Sequence, residues 1–76
     1  MNISIEYCNA WNYLPRAASM ATKLLEKYGN SITKFSLTPS GGGVYEVEMN
    51  GKLIFSKKSL DRFPKLDEII ALIDEK

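Results

Sequence analysis

The sequence contains no histidine, one cysteine and one tryptophan in 76 residues. Without an imidazole there is no Ser-His or Cys-His nucleophilic pair. Zinc sites built from several Cys or His ligands are excluded for the same reason. A single cysteine cannot close an internal disulfide, so this is not a disulfide-stapled secreted domain. Long apolar runs are also absent: the longest aliphatic one, Ile69 to Ile73, is far too short to span a bilayer. The N-terminal stretch Met1-Asn2-Ile3-Ser4-Ile5-Glu6 lacks the basic region and apolar core of a signal peptide. A reducing cytoplasm, and no membrane, are the expected setting. Charge of one sign is not in excess either, with ten basic and nine acidic side chains and a net charge of +1. That balance gives no electrostatic basis for binding nucleic acid. The adjacent Lys57-Lys58 pair reads as a solvated strand end rather than a phosphate site.

What remains is ordinary globular usage, 45% hydrophobic and 25% charged. One small domain over residues 1–76 is expected, monomeric, with a modest core and moderate stability.

Ile3, Ile5 and Tyr7 alternate with Ser4 and Glu6, the period of a strand with one packed face. Leu14, Ala17, Ala18, Ala21, Leu24, Leu25 and Tyr28 then recur at helical spacing. Asn12 is placed to cap that helix, Pro15 falls in its first turn, and Gly29-Asn30 ends it. A second strand is expected over residues 32–38, with Phe35 and Leu37 on one face, before Pro39 and Gly41-Gly42-Gly43 break the pattern. Val44 to Met49 alternates again, with Glu46 and Glu48 forming a solvated face. Asn50-Gly51 is a strong type I′ hairpin signal, and Lys52 to Lys57 returns as the partner strand. Pro64 then opens a helix whose apolar face is Leu66, Ile69, Ile70 and Ile73, with Asp67 and Glu68 in its first turn. There is no repeat, low-complexity segment or linker. The order β-α-β-β-β-α describes a small α/β domain with a mixed sheet and helices, the plan of a thioredoxin-like fold.

Tyr7-Cys8-Asn9-Ala10-Trp11-Asn12-Tyr13-Leu14-Pro15-Arg16 joins the first strand to the first helix and holds both the cysteine and the tryptophan. A thiol there is expected to be partly exposed, close to helix N–H groups that favour an anion, with Arg16 one turn on. A buried structural thiol is the competing reading. Trp11 either shields Cys8 or anchors a partner. The glycines at 41–43 lack the Lys-Ser/Thr and helix of a P-loop. They are better explained by close approach of backbone to the Cys8 loop.

This loop resembles the redox loop of the selenoprotein W (Rdx) family: a tyrosine, a cysteine, two spacers, then selenocysteine or a second cysteine. Tyr45-Glu46-Val47, Gly51-Lys52-Leu53-Ile54, Ser56-Lys57-Lys58 and Arg62-Phe63-Pro64 extend the resemblance along nearly the whole chain. It implies a thiol or selenol redox protein with no bound cofactor, linked to glutathione or a thioredoxin-like reductant. The site residues would be Cys8 and position 11. Trp11 departs from the pattern at that position. UGA, the selenocysteine codon, is one base from the tryptophan codon UGG. The favoured reading is a native selenocysteine replaced by Trp11. A natural single-thiol relative, and a non-catalytic protein-interaction module with a partner at the Cys8 loop, remain the alternatives.

Overall fold

The alternation of Ile3, Ile5 and Tyr7 produces strand β1, Asn2–Cys8, which lies inside a four-stranded sheet. The computed structural model describes residues 1–60 and 62–75. After β1 come helix α1 (Leu14–Tyr28), a single 3-10 turn (Gly29–Ser31), β2 (Lys34–Ser40), β3 (Tyr45–Met49) and β4 (Lys52–Ser56). A one-turn helix α2 (Lys57–Leu60) and helix α3 (Leu66–Asp74) complete it. The sheet order is β2-β1-β3-β4. β1 runs parallel to β2, and the β1–β3 and β3–β4 pairs are antiparallel. This is the expected thioredoxin-like α/β arrangement, with α2 and the 3-10 turn as additions.

Residues opposite one another in a ladder share a face. Ile3, Ile5 and Tyr7 stand opposite Met49, Val47 and Tyr45, and all six are buried. Helix α1 adds Ala17, Met20 and Leu24 to this core, β4 adds Phe55, and α3 adds Ile69 and Ile73. The other face is polar and puts Ser4 opposite Glu48 and Glu6 opposite Glu46. Glu46 accepts a hydrogen bond from Ser56 Oγ at 3.0 Å. At the far ends of the two long helices, the Tyr28 hydroxyl donates to Asp74 Oδ1 at 2.8 Å. Burial first, then the Asp74 hydrogen bond and charge, push that phenol up to about 12. Among the described residues, no helix is long and apolar enough to cross a membrane.

Several boundaries differ from the expectation, among them the later starts of β2 at Lys34 and β3 at Tyr45. Strand β2 runs through Pro39 instead of stopping at Thr38. It is an edge strand, which needs hydrogen bonds on one side only, so a residue without N–H is tolerated. Helix α1 is capped by Tyr13 rather than Asn12. Asn12 instead takes φ 58°, a left-handed conformation that short polar side chains tolerate. Helix α3 opens at Leu66, with Pro64 outside it and Lys65 as the capping residue. The returning strand ends at Ser56, and Lys57 starts α2. The apolar stripe of α1 is also narrower than its spacing suggests, because Leu14 and Leu25 are exposed.

The Asn50-Gly51 turn is as expected, with φ 54° and 81°. It is tied to β1 by Asn50 N–H donating to the Asn2 carbonyl at 2.8 Å. Asn2 N–H donates in return to Asn50 Oδ1 at 2.9 Å. Glu48 pairs with Leu53 while Val47 pairs with Phe55, so Ile54 is an extra residue, a bulge. A β-branched side chain at the positive φ of Gly51 is strained. Gly51→Val is expected to destabilise the fold by about 1–3 kcal/mol, measured as a lowered denaturant midpoint with an unchanged slope.

Candidate functional site at the β1–α1 loop

Cys8 is the last residue of β1 and still lies opposite Ser40 in the ladder. Its N–H donates to the Val44 carbonyl at 2.8 Å, and its own carbonyl accepts from Tyr13 N–H at 3.1 Å. Asn9 N–H donates to the Ser40 carbonyl at 2.9 Å. These bonds tie the start of the loop to the end of β2 and to the residue before β3. Cys8 is therefore not partly exposed, as its loop position suggested, but fully buried at 0%. The residue still belongs to a strand paired on both sides, and the loop begins one residue later. The helix also starts later, at Leu14 behind its cap Tyr13, so the thiol sits at a strand end rather than in the first helical turn.

Residues 9–12 fold into a tight turn, closed by Asn12 N–H on the Asn9 carbonyl at 3.2 Å. This turn lifts Trp11 out of the core, where it is 64% exposed. Its indole lies against Gly43. A Cβ on Gly43 would stand 2.7 Å from Trp11 Cζ3, and the glycine has φ +72°. The expected close approach of the glycine segment to the Cys8 loop is thus present, and Trp11 is the group that approaches. Cys8 and Trp11 share one short loop but differ completely in accessibility.

Three further residues belong to the site: Tyr13 and Phe63, named in the sequence only within the resembling blocks, and Lys57, read there as part of a solvated strand end. Ring contacts run in a row from Trp11 to Tyr13 (centroids 6.2 Å apart), to Phe63 (4.8 Å) and to buried Tyr45 (5.5 Å), all edge-to-face. The Arg16 guanidinium lies 4.1 Å from the Phe63 ring centre, and Lys57 Nζ lies 5.4 Å from it. Arg16, expected as a solvent-facing helix charge in preference to one acting on the thiol, is exposed and packs on a ring, and its carbonyl accepts from the Tyr45 hydroxyl at 3.5 Å. Burial pushes the Tyr45 phenol up to about 12, against the pull of the Arg16 charge, so this hydroxyl is neutral at physiological pH. A signal for these residues did exist. Phe63 is an aromatic residue in a break before a helix, flanked by Lys57, Lys58 and Arg62 in sequence.

The segment bearing Phe63 is held by a bidentate ion pair, with Arg62 nitrogens 2.7 and 2.5 Å from the two Glu68 oxygens. The Arg62 hydrogen bond holds the Glu68 carboxyl down at about 2. Among the described residues, no group of three or more Cys, Asp or Glu is arranged to hold a metal ion.

Residues 2–75 match the model of the Rdx family. The chain is 32% identical over 80 residues to selenoprotein W from Danio rerio, covering 99% of this chain and 93% of that protein. It is 30% identical over 73 residues to migration and invasion enhancer 1 from Bos taurus, covering 96% of this chain and 62% of that protein. Among solved structures, a Bordetella parapertussis protein superposes with a TM-score of 0.93 at 30% identity, covering 97% of this chain and 94% of the other. A selenoprotein W-related protein from Vibrio cholerae does so with a TM-score of 0.93 at 28% identity, covering 97% and 92%.

Two measurements probe this geometry. Gly43→Ala adds a Cβ where the indole now lies, at a backbone angle that disfavours side chains. It is expected to cost about 1–3 kcal/mol and to free the exposed indole, seen as a red-shifted Trp11 emission with greater quencher access. The second concerns pH. The folded value of Glu68 is depressed, so the stability from its Arg62 contact is complete above the ordinary carboxylate range and is lost as pH falls toward about 2. The thermal midpoint of Glu68→Gln should therefore fall less steeply than that of the parent across this acid window.

Proposed function

This chain belongs to the Rdx family, and from that premise we propose that it is a thiol/selenol redox protein of the selenoprotein W type. The observation that carries this reading is the place of Cys8: the C-terminal end of an interior strand, next to a turn that holds position 11 at the surface. In thioredoxin-like folds the reactive sulfurs occupy this strand-to-helix junction. We assign Cys8 and position 11 as the site residues, with position 11 natively selenocysteine. Glutathione or a thioredoxin-like protein is the reductant. The setting is the cytoplasm.

With Trp11 in place the chemistry runs on one sulfur. The Cys8 thiolate attacks a disulfide, forming a bond to one sulfur and releasing the other as thiolate, while the Cys8 proton passes to solvent. A second external thiol must then attack the mixed disulfide, expelling the Cys8 thiolate and leaving with the bound half as a new disulfide. A sulfur or selenium at position 11 would instead attack internally. Because Cys8 is buried, either route requires local opening around the thiol. Thiol-exchange rates should accordingly rise under mildly destabilising conditions.

The test is Trp11→Cys. The indole is largely exposed, so the variant should fold with little loss of stability. It is expected to lose two hydrogens on mild oxidation, forming an intramolecular disulfide that glutathione or thioredoxin reduces, whereas the parent stops at a mixed disulfide on Cys8. A folded variant whose two thiols do not bridge would overturn the redox assignment. The natural codon for position 11 decides the residue itself: UGA with a selenocysteine-insertion element is expected, and UGG would overturn that assignment.

One observation favours a second reading. The thiol has no exposed surface while Trp11 has a great deal, as in a non-catalytic module that binds through its loop. Partner binding that survives Cys8→Ser, with no redox phenotype, would support it.

A further inference from the structure

The chain has no carboxylate between Glu6 and Glu26, and none between Glu48 and Asp61. Those two stretches supply Arg16, Lys23, Lys52, Lys57 and Lys58. The fold brings both Arg16 and Lys57 against the Phe63 ring, at 4.1 and 5.4 Å from its centre. Beside it runs a groove of about 300 Å³ between α1 and α3, lined by Pro15, Arg16, Ser19, Met20, Lys23 and Leu66. Arg16, Ser19 and Lys23 are spaced to share one helix face, and the lining contains two cations and no carboxylate. Lys23 has no hydrogen-bond or ion-pair partner among the described residues. Arg16 is matched by an aromatic ring and not by an acid. The contrast is Arg62 close by, whose charge is taken up by Glu68.

We propose that this groove and the adjoining ring row form a docking strip for an extended acidic segment of a partner protein. Carboxylates of that segment pair with Arg16 and Lys23, and an apolar side chain lies over Met20 and Leu66. Arg16 belongs to both the groove and the row Phe63–Tyr13–Trp11, so the strip is continuous and leads to the Cys8 loop. The exposed indole at its end is the kind of side chain that anchors protein interfaces. A groove with so few cations neutralises few phosphates, which disfavours nucleic acid as the occupant. Docking uses charge and apolar contact and involves no thiol step, so it stands or falls apart from the redox reading.

The experiment is fluorescence anisotropy of a labelled peptide alternating Asp or Glu with Leu, titrated with the full chain. Its Asn/Gln isostere and a labelled single-stranded DNA oligomer are run beside it. The acidic peptide is expected to bind, to weaken with added salt, and to shift the Trp11 emission. Arg16→Gln and Lys23→Gln should each weaken it roughly two- to fivefold, the range of a single exposed charge pair. Lys34→Gln, at the start of β2 and the far end of the sheet from Ser40 and Cys8, should leave it unchanged, as should Cys8→Ser. If Arg16→Gln does not fold, Lys23→Gln carries the comparison. Equal binding of the isostere, equal loss in Lys34→Gln, or DNA binding as tight as the peptide would each overturn the proposal.

Discussion

Strand β1 is hydrogen-bonded along its length to β2 on one side and to β3 on the other. A slip of one residue would turn Ile3, Ile5 and Tyr7 out of the core and bring Ser4 and Glu6 in, so the register has no near-degenerate alternative. The position of Cys8 follows directly. It is the last rung of a ladder held on both sides, and neither the thiol nor the start of the loop can shift without breaking pairing to Ser40 and Val44. The 9–12 turn, the indole resting on Gly43 and the late start of α1 are consequences of that fixed end.

From this end an aromatic row leads inward. Trp11 is largely exposed, Tyr13 and Phe63 are half-buried and Tyr45 is in the core. Edge-to-face contacts of this kind add modestly to the area they bury, and the Arg16 and Lys57 charges lie over Phe63. The row thus joins three parts of the chain distant in sequence: the β1–α1 loop, β3 and the segment before α3. Arg62 and Glu68 hold the last of these in place. The consequence is a surface at one end of the sheet that combines rings and positive charge, while the carboxylates Glu6, Glu46 and Glu48 are gathered on the outer face.

The Cys8 thiol has no exposed surface, while much of the Trp11 indole in the same loop is exposed. Burial protects a sulfur from adventitious oxidation and also from its partners. In the proposed redox role, reaction would depend on local opening, and the free energy of that opening would set the rate of exchange. Arg16 and Tyr13 contact the same Phe63 ring, so the proposed docking strip adjoins the loop that carries Cys8.

The sequence by itself determined the element order, the Asn50-Gly51 turn, the core faces of β1 and β3 and the junction that holds Cys8 and Trp11. Each is a local matter of alternation, of helical spacing or of a turn that needs positive φ, and such signals lie within a few residues of one another. The family resemblance was legible as well, because it rests on short blocks in order. Tertiary structure alone decided the rest. Pro39 could stay in a strand because β2 falls at the sheet edge, which no local pattern reveals. Cys8 stayed in the strand, and not in the loop, because its backbone and that of Asn9 are held by Val44 and Ser40, more than thirty residues away. Asn12 was spent on reversing the chain and not on capping it. Arg16 met Phe63 because α1 and the segment before α3 pack against one sheet face. Contacts between residues far apart in sequence depend on where whole elements dock, and that is set by the summed fit of the core.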